Sequence, residues 1–169
     1  MKFISAPFGN YIQPESALAV TGTWTRLPRP GRFKQVLKTV RYSFKENGWV
    51  NRLGLRNVGI HHALKTHDNH REILSIAAIE DYDWKRFSDV IPPDYNIEFN
   101  LSCPNVDECS PAGIKVMINE SRQWCIAKIP PAPDFSTLAY KQVDDLIDIG
   151  FTQIHACNAI PHDRGAISG

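Results

Sequence analysis

From Glu98 to Val106 the chain reads Glu-Phe-Asn-Leu-Ser-Cys-Pro-Asn-Val. Polar and reactive groups crowd the end of a β-prone stretch that Pro104 does not allow to continue. Cys103 brings a thiol, a group able to act as a base. A free thiol has a pKa of about 8.5, so it takes a proton well only where its surroundings favour the thiolate or where proton loss is coupled to another departure. The other role open to a free cysteine is that of a small buried hydrophobe. Asn100 and Asn105 flank it, and Asn51 and Asn158 stand at the ends of other segments. Each offers an amide donor and an amide acceptor to a ligand, or the same groups to the backbone of a turn. Lys128 interrupts the apolar run 123–129. A buried ammonium there needs an anionic partner, unless the side chain snorkels out from a strand edge.

The elements that must position these groups are short β-rich runs alternating with longer helical patterns, the mark of βαβ units and a parallel sheet. Strands are expected at 96–102, 123–129 and 151–157, each apolar or β-branched and ended by Pro or Asn, and, more weakly, at 2–8, 17–24 and 72–78. That makes six. Between the last two, Leu138, Val143, Leu146 and Ile147 recur near helical spacing over 135–149, and Gly150 supplies a stop. Shorter helices are expected at 33–45, 58–66, 82–88 and 111–120. The Pro-rich basic stretch 26–34 is expected to be a loop.

The motif Asn100-Leu-Ser-Cys-Pro-Asn105 resembles the strand-end motif of the dihydroorotate dehydrogenases, FMN-dependent enzymes of pyrimidine biosynthesis. Further segments agree in order. Asn51-Arg-Leu-Gly-Leu-Arg-Asn57 is similar to the family's Asn-x-x-Gly-Leu-x-Asn loop, and Ala127-Lys-Ile-Pro130 to its Val-Lys-Leu strand. Asn158, followed by Arg164 to Gly169, is similar to its Asn-Thr stretch and Gly-rich loop, and Pro7 to Asn10 and Val20-Thr21 also match. The resemblance runs the length of the chain. It implies an α/β fold, a TIM-barrel-like parallel β/α domain over 1–169, with six of the eight strands.

It also implies oxidation of dihydroorotate, or of a related dihydropyrimidine, to its unsaturated product. A proton leaves C5 for a base while a hydride leaves C6 for the flavin. Cys103 is then the base. Asn51, Gly54, Leu55, Asn100, Asn105 and Asn158 contact substrate, while Thr21, Asn100, Lys128 and Asn158 contact FMN. Lys128 lies beside the part of the flavin where negative charge develops on reduction. Cysteine in place of serine resembles the soluble, cytoplasmic class.

The pattern breaks in places. Gly22 stands where the family has a lysine touching flavin and substrate, and Tyr11-Ile-Gln13 replaces the small residues under the flavin. Ala159 replaces a hydroxyl residue. A closed barrel takes about 250 residues, with the phosphate site commonly at the loops after strands seven and eight. With 169 residues, the expectation is a truncated reading frame, a sheet completed by a second copy or a complementing chain, or an opening covered by the remaining helices. The alternative is a catalytically silent fragment or interaction module that binds no FMN.

Composition adds bounds. With 43% hydrophobic and 22% charged residues and a net charge of +1, the chain is read as an ordinary soluble domain with no electrostatic call for nucleic acid or an anionic membrane. The four cysteines form no CxxC pair, so no disulfide framework is expected. His61, His62, His67, Asp68 and His70 lack a completing ligand set, and no metal is expected; 66–70 reads as a solvated polar loop. Arg26, Arg29, Arg32, Lys34, Lys38 and Arg41 form a basic stretch without an acidic residue. It is read as a solvated face, with phosphate or nucleic acid as the alternative.

Overall fold

Short β-branched and apolar runs pair side by side in a parallel sheet, and the chain between them returns over one face. The computed structural model describes residues 2–5, 8–101, 111–129, 137–156, 160–162 and 165–168. In chain order the elements are β1 (Lys2–Ile4), β2 (Ala17–Val20), α1 (Arg32–Thr39), β3 (Arg41–Ser43), β4 (Gly48–Asn51), α2 (Ile60–Thr66), β5 (Glu72–Ile76), α3 (Asp83–Val90) and β6 (Ile97–Asn100). A 3₁₀ segment, Pro111–Met117, precedes β7 (Cys125–Ile129), α4 (Thr137–Ile149), β8 (Gln153–Ala156), β9 (Ile160–His162) and β10 (Gly165–Ser168).

Six strands in the order β1-β2-β5-β6-β7-β8, all parallel, make a curled sheet that forms a half-barrel with the helices. All six expected strands are present, each shorter than its apolar run. Alternation along them sorts side chains between two faces. Leu74, Ile76, Ile97, Phe99, Cys125, Ala127 and Ile129 join one buried cluster with Ile60 and Ala63 of α2, Trp84 and Phe87 of α3, and Leu146 of α4. Val20, Ile73 and Ile126 form a smaller cluster with Leu18 and Trp124. These lie one position out of phase with the first set, and so on the other, inner face. Gly150, at φ +117°, closes α4 as expected, donating to the carbonyls of Leu146 and Ile147.

Four strands were not expected. β3, β4, β10 and β9 form a separate antiparallel sheet in that order. The helix expected over 33–45 stops at Thr39. Val40 turns extended and 41–43 folds back on 48–51, the turn being made by Asn47 in a left-handed conformation before Gly48. The expected loop 26–34 is also shorter, since Arg32, Phe33 and Lys34 open α1. The segment 111–120 forms a 3₁₀ turn, not an α-helix.

Among the described residues, the crossover from β1 to β2 carries no α-helix. A 3₁₀ turn, Phe8–Asn10, lies so close to β2 that a Cβ on Gly9 would sit 2.1 Å from the carbonyl oxygen of Val20. Beside it, along the outer side of β2 and α2, runs a cleft of about 330 Å³ lined by Tyr11, Trp24, His62 and His67. Among the described residues no helix is long and apolar enough to cross a membrane.

Candidate functional site

On the inner face the second half of each strand changes character. Past the apolar layer of Val20, Ile73 and Ile126 come Ser75 of β5, Glu98 and Asn100 of β6, Lys128 of β7 and His155 of β8. Register aligns them: Ser75 pairs with Glu98, Asn100 with Lys128, and Lys128 with His155. Three neighbouring strands thus deliver a carboxylate, an ammonium and an imidazole to the same inner face, with Glu98 two residues before the Asn100–Lys128–His155 row.

Glu98 is the hub, and it is fully buried. Its Oε1 accepts the Ser75 hydroxyl at 2.9 Å and lies 3.8 Å from Lys128 Nζ, while Oε2 is 2.8 Å from His155 Nδ1. A carboxylate only accepts, so opposite an ionised Glu98 the Nδ1 of His155 is the donor. Ser75 Oγ lies 3.0 Å from Thr23 Oγ1, which accepts from the Asn100 carboxamide at 3.0 Å. Lys128 therefore has the anionic partner its burial demands, supplied by the neighbouring strand.

The expected site residues fall into three groups. Asn100 and Lys128 share a rim as adjacent partners, and the backbone N–H of Leu101 donates to the Lys128 carbonyl at 3.0 Å. Cys103, Asn105 and Asn158 lie outside the described residues. Thr21 is buried and its hydroxyl accepts the Ser75 N–H and the Trp24 indole N–H, at 3.1 and 3.2 Å. That hydroxyl ties the sheet together, and it is the hydroxyl two residues on, in Thr23, that reaches Asn100.

Asn51, Gly54 and Leu55 belong to the end of β4 and the loop after it. Asn51 Oδ1 accepts the Leu53 N–H at 3.3 Å, a turn-satisfying bond. Gly54 and Leu55 are consecutive left-handed residues, at φ +63° and +53°, an unusual conformation for leucine. Asn57 clamps this loop to the chain following β2. Its side chain accepts from Gly59 N–H at 2.7 Å and donates to the Leu55 carbonyl and the Thr25 hydroxyl, while its backbone exchanges two bonds with Arg29.

Sequence reasoning gave no role to Glu98, His155, Ser75 or Thr23. The signal was present: residues 98 and 100 share a face by alternation, and a charged residue in an apolar strand calls for a partner on the next strand. Gly22, where the resemblance calls for lysine, donates its N–H to Asn10 Oδ1 at 2.7 Å, and a Cβ there would meet Asn10 Nδ2 at 2.8 Å. Tyr11 is exposed.

Two features lie apart from this rim. Cys125 faces the core, and burial pushes its thiol up to about 11 against the opposing influence of Arg122, so it is chemically quiet. The stretch 66–70 is not uniformly solvated as expected. The His67 side chain is 1% exposed, with Nδ1 3.1 Å from Glu72 Oε2 and its ring against Tyr95, and burial lowers its pKa. Among the described residues no three His, Cys, Asp or Glu side chains gather as a metal set.

A half-barrel of parallel strands with a polar C-terminal rim is the class this structure defines. Set against known proteins, the chain matches no family model, no curated protein and no solved structure.

Proposed function

We propose that the chain carries one half of an FMN-dependent oxidoreductase site acting on dihydroorotate or a related dihydropyrimidine. The observation that supports this most is the pairing of Asn100 with Lys128 at the C-terminal rim, Asn100 standing three residues before Cys103 in the sequence. In parallel β/α folds that rim is where ligands bind. The donor set fits a flavin edge: an ammonium for a site of developing negative charge, a carboxamide able to donate and accept, and a hydroxyl at Thr23.

FMN, when bound, supplies the hydride acceptor. The chain's own share is to orient the ring of the substrate through carboxamides, to take the C5 proton on Cys103, and to offset negative charge with Lys128. Glu98 and Ser75 fix where Lys128 sits, and Glu98 orients the ring of His155.

A second reading, a polar hollow that takes no flavin, is favoured by two observations. Glu98 already balances Lys128, and Gly22 brings no cation and packs against Asn10. Adding FMN before purification separates the two. Bound flavin, seen as yellow protein, is expected, and colourless protein defeats the first reading. In yellow protein, Cys103→Ala should keep the colour and lose bleaching by dihydroorotate. Lys128→Met should weaken FMN binding by at least about tenfold, the worth of one charge-assisted hydrogen bond.

A further inference from the structure

The net charge of +1 conceals an uneven surface. From Arg26 to Lys45 there is no acidic residue. Three of the cations in this stretch are engaged: Arg26 with Asp83 and the Tyr82 ring, Arg29 with the Gly54 carbonyl, and Lys45 with Glu46. Arg32, Lys34, Lys38 and Arg41 are exposed and form no ion pair among the described residues.

Large apolar side chains stand out among them. α1 buries none of its residues. Phe33 and Leu37, one turn apart on a single helix face, are 78% and 71% exposed. α1 runs through Val40 into β3, where Tyr42 packs edge-on against both Phe44 and Trp49. Phe44, at 92%, is almost wholly in solvent, and Trp49 is half exposed. Inward contacts do not account for these rings, since the neighbouring residues Gly48 and Val50 are the buried ones.

We propose that α1 and the β3–β4 hairpin form a docking surface for an anionic lipid bilayer. Charge selects a negative partner and disfavours a second copy of this surface, which would bring like charges together. Among negative partners, nucleic acid would use stacking rings and cations but leaves the aliphatic side chain of Leu37 without an apolar environment. A bilayer accommodates the whole set: Phe and Leu enter the acyl boundary, Trp and Tyr sit at headgroup level, and Lys and Arg meet anionic headgroups. The reading is independent of the flavin proposal and revises the expectation from net charge alone.

Co-sedimentation of the full chain with phosphatidylcholine vesicles, with and without phosphatidylserine, tests it. Binding is expected only with phosphatidylserine, falling steeply with salt and accompanied by a blue shift of tryptophan emission that Trp49→Phe removes. Lys34→Ser/Lys38→Ser should weaken binding more than tenfold, at about fivefold per cation. Phe33→Ser/Leu37→Ser should abolish it while leaving circular dichroism unchanged, because both side chains lie outside the core. No sedimentation with phosphatidylserine overturns the proposal, as does equal binding by the variants. So does capture of a single-stranded oligonucleotide while vesicles are ignored, or a dimer whose mass is lost in Phe33→Ser/Leu37→Ser.

Discussion

The two faces of the curled sheet are built from alternate residues of the same strands, yet they obey different rules. The outer face is apolar from end to end and closed by α2, α3 and α4, with Phe99 between the rings of Trp84 and Phe151. The inner face is apolar only at the start of its strands and then passes to Ser75, Glu98, Asn100, Lys128 and His155. A core chosen for stability alone would not place a carboxylate and an ammonium there, since a packed apolar pair of similar volume is often as stable or more so. The outer face therefore accounts for the fold, and the inner rim marks where its composition serves something else.

The sharpest way to break this comparison is to cut a hole in each face. Phe99→Ala should destabilise the protein by about 4 kcal/mol, the range for a buried aromatic ring whose cavity relaxes only partly. Chemical denaturation would measure it, and a loss under about 1 kcal/mol would mean that the outer face is not the closed core described. On the inner face, Glu98→Ala should cost about 3 kcal/mol, because it strands the Lys128 ammonium. The double variant Glu98→Gln/Lys128→Met should recover most of that loss. A double variant as unstable as Glu98→Ala would show that the rim stabilises the fold after all, and the contrast between faces would fail.

A buried imidazole at the margin of the outer core, outside the polar rim, sharpens the point by pH. His67 is held below its ordinary value, first by burial and against the pull of Glu72. The unfolded chain then binds a proton that the folded chain resists. Stability is full above the ordinary imidazole pKa, about 6.5, and falls as pH drops from there towards the lowered folded value. Within that window the slope reaches at most about 1.4 kcal/mol per pH unit. Urea midpoints followed from pH 7.5 to 5 should show the decline, and His67→Asn should flatten it. An unchanged slope in the variant would assign the acid sensitivity elsewhere.

What the sequence revealed, and what it hid, follows the same division. All six parallel strands could be read from their apolar runs, because the outer face is apolar at every second residue and the start of the inner face is apolar as well. The hairpin was hidden because 33–45 carries helical residues up to Thr39. Its real signal was the Asn47-Gly48 pair, whose left-handed turn outweighs propensity. At the rim, Asn100 and Lys128 were legible as polar residues in apolar strands. Glu98 and His155 were not given roles, because their partnership exists only once register sets β6, β7 and β8 side by side. His67 failed for the converse reason: a polar run of Thr, His, Asp and Asn gives no hint that one ring turns inward onto Tyr95.

The smallest expected effect bears on whether the rim is a flavin site at all. Gly22 donates to Asn10, and its missing side chain leaves Asn10 Nδ2 only 2.8 Å from where a Cβ would stand. Since the obstructing atom is the end of a side chain, Gly22→Lys should be accommodated by rotation of Asn10, at the loss of one hydrogen bond, about 1 kcal/mol. What the substitution adds is a second cation near the end of β2. If the rim holds FMN, the variant should bind it more tightly than the parent by several-fold, read by fluorescence quenching on titration, while melting only a few degrees lower. If the rim is a balanced polar hollow with no anion to receive, the added charge gains nothing and only the loss of stability remains. The same substitution thus separates a rim built for a ligand from one that is complete in itself.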